Sequence, residues 1–368
     1  MAKRVCYIHI GPHKTGTTSI QWFLKQNRAE LLKYGYFVPE SGANHGAHHA
    51  IARKLCGQEL RHHQQSAGTN FARALDETPS EAVVLSSEAL GGLLRIRDYA
   101  SAFFTRIREL NLEPKLVLFV RNQSQRINSS YSSVVKTFRR SEPFEAFVQG
   151  ATQGVVFRHS PLIELADAHN AELIAQPFTR ATVAHGVVPE FLQAIGLAPS
   201  QFRGTNVRRN EAAGPFTVGV ARGVLRLINS TGQQLKWLQA VRCKTKLVAY
   251  LEENGLADAG YCGLTTARAR QIERELRPDN DAFAQRVWGR PWAEIFAADI
   301  GKEFTPNDFE MCRPEEFTER QLGRAIHEMT VIVEEILRDP ALAVEAPWNE
   351  RWFRSGHGSL AEQSSDLV

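Results

Sequence analysis

No stretch of the 368-residue chain approaches the roughly 20 consecutive apolar residues that a membrane-spanning helix needs. The start, Met1-Ala2-Lys3-Arg4, leads straight into a strand-like segment rather than a signal-peptide core, so a cytoplasmic location is expected. Cysteine is sparse. Cys6, Cys56, Cys243, Cys262 and Cys312 are scattered, odd in number and without a Cys-x-x-Cys pair, which argues against a disulfide framework and a thiolate zinc site and leaves reduced thiols. Charge of one sign is lacking too: a net +4 is too mild to imply nucleic-acid binding, although it suits an anionic ligand. The basic residues are spread through helical stretches with no interleaved stacking aromatics, which disfavours a nucleic-acid partner further. There is no internal repeat. With 43% hydrophobic and 23% charged residues the chain is an ordinary globular protein, long enough for one large α/β domain with elaborations or for two modest domains.

What is present is an alternation of short apolar runs and helix-like stretches. Val5 to Gly11 (VCYIHIG) reads as a buried strand of a parallel sheet. After a short loop, Thr17 to Lys33 carries Ile20, Phe23, Leu24, Leu31 and Leu32 at largely helical spacing without internal Gly or Pro, predicting one helix. Ala82 to Ser86, Lys115 to Val120 and Glu172 to Ala175 are further strand candidates with helical stretches between them, the pattern of a helix-covered parallel sheet. Beyond about residue 210 the texture becomes helical, over Val220 to Asn229, Gln234 to Glu253 and Thr265 to Leu276. Gly301 to Pro314 is irregular, Glu315 to Arg338 is a strong helix candidate, and Ser355 to Val368 reads as a frayed polar tail. The Trp-rich stretch of Trp348, Trp352 and Phe353 packs back on the domain or contacts a partner, packing being the commoner case.

The segment Gly11-Pro12-His13-Lys14-Thr15-Gly16-Thr17-Thr18-Ser19 lies between the first strand and the first helix, where backbone N–H groups and the helix dipole converge on one point. Such a point takes anions. Gly16 permits a close backbone approach, Lys14 adds a full charge, and Thr17, Thr18 and Ser19 add hydroxyls. It is not a Walker A loop, since Lys14 precedes Gly16 instead of following the last glycine. A nucleotide triphosphatase is therefore disfavoured. The bland alternative is a Gly/Thr turn that merely joins strand to helix. A second cluster, Lys115 to Asn122, is a strand ending in Arg121, and an arginine there points into the ligand crevice of an open α/β sheet, where its planar fork suits a phosphate.

His13-Lys14-Thr15-Gly16-Thr17-Thr18-Ser19 resembles the 5'-phosphosulfate loop of sulfotransferases that use 3'-phosphoadenosine 5'-phosphosulfate (PAPS), most closely the bacterial members with a His-Ile-Gly-x-x-Lys-Thr-Gly-Thr-Thr start. Arg121, Ser129 and Tyr131 match the family's 3'-phosphate element, although Gln123 and Gln125 stand where the family commonly has Pro and Asp, and Pro12 is displaced from its usual place before the lysine. The resemblance implies a P-loop-NTPase-like three-layer α/β fold: a sulfotransferase domain over 1–300, with a nucleotide-binding core to about 210 and a helical part over 211–300, then a helical extension and tail over 301–368 that remain unmatched. It further implies Lys14, Thr15, Gly16, Thr17, Thr18 and Ser19 on the phosphosulfate, Arg121 and Ser129 on the 3'-phosphate, and PAPS as co-substrate with no metal required. Arg208, in the basic stretch Arg203 to Asn210, falls where the family closes a loop over the adenosine; an ordinary solvated basic loop is the alternative.

Transfer to a hydroxyl or amine also needs a proton acceptor. Glu88 follows a buried strand at the edge where Lys14 and Arg121 are expected, and Ser86-Ser87-Glu88 resembles the Ser-(x)-Glu of glycan sulfotransferases. It is the candidate base, and the glycan preference for the acceptor rests on that resemblance. Its alternative is a capping or surface glutamate. His13 is a candidate contact to sulfate or substrate, and His9 packs in the strand. His45, His48 and His49 are candidates for the acceptor pocket or plain loop residues, and no carboxylate or thiolate is spaced to complete a metal site with them. The alternatives are a related kinase or phosphotransferase, which would want a Walker lysine and Mg²⁺ ligands, and a non-catalytic anion- or glycan-binding module.

Overall fold

The structure, a computed structural model, describes residues 3–40, 46–60, 67–205 and 213–343. Its elements in chain order are β1 (Arg4–His9), α1 (Thr17–Gln26), α2 (Arg28–Lys33), β2 (Tyr36–Phe37), α3 (His49–Leu55), α4 (Ala67–Glu77), β3 (Ala82–Ser86), α5 (Leu90–Leu93), α6 (Arg97–Glu109), β4 (Leu112–Val120), α7 (Gln123–Lys136), α8 (Phe144–Gln153), α9 (Ser160–Ala168), β5 (Glu172–Pro177), α10 (Arg180–His185), α11 (Val187–Ala194), α12 (Pro215–Ser230), α13 (Trp237–Glu253), α14 (Thr266–Trp288), α15 (Trp292–Ile295) and α16 (Glu316–Arg338). The chain divides into two units. One is made of Met1–Asn122, Arg158–Asn210 and Leu276–Ile300, the other of Gln123–Phe157, Glu211–Glu275 and Gly301–Val368.

The first unit is built on a five-stranded, wholly parallel sheet in the order β2-β3-β1-β4-β5, with Ile8 of β1 in register with Leu85 of β3 and Leu116 of β4. Because successive strand residues point to opposite faces, the continuous apolar runs bury both sides. Cys6, Ile8, Val83, Leu85, Leu116 and Leu118 meet Ile51 of α3, Phe71 of α4 and Phe103, Phe104 and Ile107 of α6 on one face. Val84, Val117 and Phe119 meet Ile20, Phe23 and Leu24 of α1 and Phe191 and Leu192 of α11 on the other. This is the expected P-loop-like three-layer architecture. Each large apolar side chain removed from water stabilises by about 1.5–3 kcal/mol, so these cores rather than propensity hold helices as short as α1, which are marginal in isolation.

Two helices depart from the pattern-based expectation. The helix expected over 17–33 is interrupted at Asn27, whose side-chain amide donates to the Phe23 carbonyl at 3.1 Å, a local bond that competes with the helical ladder. The helix expected to stop at Leu276 instead runs through Pro278 to Trp288. Leu276, Phe283 and Ala284, all fully buried, carry its apolar stripe across the proline, and their burial outweighs a local cost of about 3 kcal/mol. The two-residue strand β2 was too short for a pattern to announce it.

The second unit is helical, with one isolated bridge between Ala213 and Ala259 among its described residues. At its centre Arg222 grips Asp308 through both terminal nitrogens, at 2.8 and 2.7 Å. Tyr261 donates to the same carboxylate at 2.6 Å, and Arg222 donates to the Tyr131 hydroxyl at 2.8 Å. The buried guanidinium and carboxylate are thus paired and further hydrogen-bonded, the condition under which such charges are tolerated inside a protein.

Candidate functional site

All components of the first unit's candidate site lie at the carboxyl ends of β1, β3 and β4. β1 is central, and the connection from β3 to β4 crosses over it; α1 leaves β1 on one face while α6 lies on the other. Open parallel sheets bind ligands at such a switch point.

The loop after β1 is wound through left-handed backbone at Gly11 (φ 89°), Lys14 (φ 73°) and Gly16 (φ 78°). For a lysine that conformation is unusual and costs free energy unless its surroundings impose it. They do: the Lys14 carbonyl accepts from Nη1 of Arg121 at 3.1 Å, Phe119 N–H bonds the Gly11 carbonyl at 3.1 Å, and the Thr15 hydroxyl donates to Pro12 O at 2.6 Å. The Thr15 hydroxyl therefore braces the loop. At Gly16 a Cβ would lie 2.7 Å from Val187 Cγ1 of α11, so glycine is required for space as well as for φ. Ser19 N–H and Ile20 N–H both reach back to Gly16 O, starting α1 and engaging the Ser19 amide. Thr17 and Ser19 are largely buried.

Arg121, immediately after β4, is the second component. Its guanidinium stacks 5.6 Å from the Phe178 ring centre. Burial pulls its pKa down, the Asp299 carboxylate opposes this, and an arginine remains charged regardless. Two motifs 107 residues apart in sequence thus meet through one hydrogen bond.

Glu88 occupies the turn between β3 and α5. Its Oε2 accepts a short hydrogen bond from the Gln21 amide, and its Oε1 lies 3.9 Å from His13 Nδ1 and 3.8 Å from His49 Nε2. Burial would raise the carboxyl pKa; the facing His13 and His49 rings and the Gln21 donor outweigh it and hold Glu88 below its ordinary range. Burial also lowers His49, against the pull of Glu88, so at neutral pH the His49 ring acts on the carboxylate as a dipole. His49 is oriented by Ser87 Oγ, 2.8 Å from its Nδ1. His13 is half exposed beside the loop.

His48 has a different environment. Its Nδ1 accepts from Ser86 N–H at 3.0 Å, which leaves Nε2 to donate to Pro39 O at 2.9 Å, and burial lowers its pKa to about 4. Both ring nitrogens are bonded to backbone, so the ring fastens its segment to β3. Gly46 just before it is pressed onto α1, where a Cβ would lie 2.1 Å from Gln21 O. His9 is fully buried with Nδ1 2.7 Å from Ser86 Oγ and edges toward Phe119 and Phe191; burial lowers it to about 4, so it packs as a neutral ring. His45 and Arg208 lie outside the described residues, as do Trp348, Trp352 and Phe353.

Ser129 belongs to the second unit, half-buried on α7, one turn before Ser132, whose hydroxyl donates to its carbonyl at 3.2 Å. Tyr131, two residues on, is fully buried among Phe144, Phe147 and Tyr261, and its hydroxyl donates to Glu142 O at 2.8 Å; it is a packing residue.

Three residues of the site went unnamed in the sequence. Gln21 had a legible signal, a polar residue at a buried position on the apolar face of α1. Asp299 and Val187 had none, because only the fold brings them near Arg121 and Gly16.

No family model matches the chain, and no curated protein matches it significantly. Among solved structures it is similar to the crystal structure of a sulfotransferase from Alicyclobacillus acidocaldarius, with 16% identity and a TM-score of 0.36 over 64% of this chain and 98% of that one.

Proposed function

We propose that the protein transfers a sulfuryl group from PAPS to a hydroxyl or amine, on a carbohydrate acceptor. The observation that carries this reading is the junction of Arg121 with the Lys14 loop, with the ionised Glu88 at the same sheet edge. Lys14, the loop backbone and the hydroxyls of Thr17, Thr18 and Ser19 bind the 5'-phosphosulfate. Arg121 binds the 3'-phosphate. The acceptor oxygen or nitrogen attacks sulfur, the bond from sulfur to the bridging oxygen breaks, and the electron pair stays on the departing phosphate, where Lys14 meets the developing charge. The proton passes to Glu88, with His13 beside it. His49 orients the carboxylate and borders the acceptor, while His48 keeps the segment in place. Cations of the chain hold the charge that a metal would otherwise hold.

The test is turnover. PAPS and a panel of neutral and acidic oligosaccharides are incubated with the protein, and 3'-phosphoadenosine 5'-phosphate and sulfated product are followed by mass spectrometry. Product in equal amount to released nucleotide, lost in Glu88→Gln, supports the reading. Nucleotide release without product, or phosphoryl transfer from ATP and magnesium, contradicts it.

A further inference from the structure

The second unit contains a cavity of about 740 Å³ that plays no part in the site above. Its walls come from the segment that follows α7, from α12, from the turn after α12, and from α13. Two features set its chemistry. The lining carries three cations, Arg139, Arg140 and Lys244, against a single carboxylate, Glu142, which engages Arg140 at 2.6 Å. Beside them stand the indole of Trp237 and the amides of Asn229 and Gln233. A flat aromatic face with amides around it suits the apolar face and hydroxyl rim of a sugar ring, and the surplus positive charge suits an acid group upon it.

The backbone at this place is independently unusual. Phe138 ends α7 in left-handed conformation, φ 55°, although it is a bulky residue where glycine is the usual occupant. Its N–H bonds Val135 O at 2.9 Å and the next N–H bonds Val134 O at 3.0 Å, so the turn is fully formed. The buried ring holds this conformation, and the turn sends Arg139 and Arg140 to the wall of the cavity. Strain of this kind persists only where the surroundings over-determine it, and it clusters at functional places. Lys136, on the preceding turn of α7, is held below the ordinary lysine range by burial and by the nearby Lys244, so two ammonium groups sit close enough to repel. An anion there would relieve that repulsion.

We infer that this cavity binds an acidic saccharide, one bearing sulfate or carboxylate groups, through Arg139 and Lys244, with a sugar ring on Trp237. The inference does not rest on the nucleotide or on sulfuryl transfer, and it is tested without either. Calorimetry with the full chain compares a sulfated, uronate-containing tetrasaccharide, a neutral maltotetraose, and an aspartate-rich peptide matched in charge to the first. Saturable binding of the sulfated tetrasaccharide, weaker for the other two, is expected, with a loss of about tenfold or more in Lys244→Ala and in Arg139→Ala, as for one charge-assisted hydrogen bond each. Trp237→Ala is expected to lose a similar factor. Lys244 is exposed, so its variant is expected to fold normally; if Trp237→Ala does not fold by circular dichroism, protection of Lys244 from acetylation by the tetrasaccharide in the unaltered chain replaces it. Absence of binding, equal binding of the peptide, or indifference to Lys244→Ala and Arg139→Ala would overturn the inference.

Discussion

Glu88 shows how an environment sets the chemistry of one residue. A buried carboxyl is ordinarily pushed toward its neutral form, and here Gln21, His13 and His49 reverse that outcome. The group is therefore ionised at neutral pH, ready to accept a proton. Its ordinary value is 4.5, so the acid limb of the pH profile of kcat/KM is expected below that value, activity falling as the carboxylate protonates. Replacing Gln21 with alanine removes a donor to the charged form and moves this limb upward, a shift that a purely structural role for Gln21 would not produce. Glu88→Gln is expected to lower turnover by on the order of 10²–10⁴-fold while leaving nucleotide affinity unchanged. Gly16→Ala is expected to destabilise by more than the roughly 1–2 kcal/mol that left-handed backbone alone costs, because the new methyl also meets Val187 at 2.7 Å; chemical denaturation measures it. The placement of Lys14, Glu88 and Arg121 just after β1, β3 and β4 was legible, because short apolar runs that end in polar residues mark strand ends in one dimension. The separate duties of His48 and His49 were not, since adjacent histidines in a loop look alike until a strand is laid against one of them.

At the scale of elements, the decisive feature is the tie between the loop after β1 and the end of β4. Arg121→Lys keeps the charge but loses the planar fork that reaches Lys14 O and suits a phosphate, so affinity for a 3'-phosphorylated nucleotide is expected to fall about tenfold or more, with secondary structure unchanged by circular dichroism. Strands β1, β3 and β4 were legible because apolar residues buried on both faces mark them, whereas β5, at the sheet edge with only Ala175 buried, showed itself only through the short run Glu172 to Ala175. Helix boundaries were less so. Asn27 and Pro278 have opposite outcomes: the asparagine, with a side chain that bonds its own helix, ends α1, whereas the proline, flanked by the buried Leu276 and Phe283, does not end α14. Local propensity decides where packing is indifferent and yields where it is not.

At the scale of the molecule, each unit has its own interior. That of the first is apolar and sheet-centred, and that of the second contains the Arg222, Asp308, Tyr261 and Tyr131 network. Removing one member of a buried pair strands the other, so Asp308→Ala is expected to cost about 3–5 kcal/mol in denaturant unfolding. Burial raises the Asp308 carboxyl, and Arg222, Tyr261 and the Glu310 N–H outweigh it, so its folded pKa lies below the ordinary 3.8. Its contribution to stability is thus fully present above that value and is lost as pH falls through the depressed one. Nothing in the one-dimensional pattern announced this network, because Tyr131 and Asp308 are 177 positions apart in the numbering, Asp308 lies in no motif, and the motif that holds Tyr131 pointed to a nucleotide instead. Calorimetric titration with 3'-phosphoadenosine 5'-phosphate, alongside ATP with magnesium, in the unaltered protein and in Lys14→Ala and Arg121→Ala, shows whether the loop and Arg121 form a site for a 3'-phosphorylated adenine nucleotide. Tight binding that prefers the 3'-phosphorylated nucleotide and collapses in Arg121→Ala is expected; no binding, or a preference for ATP with magnesium, would overturn the nucleotide site.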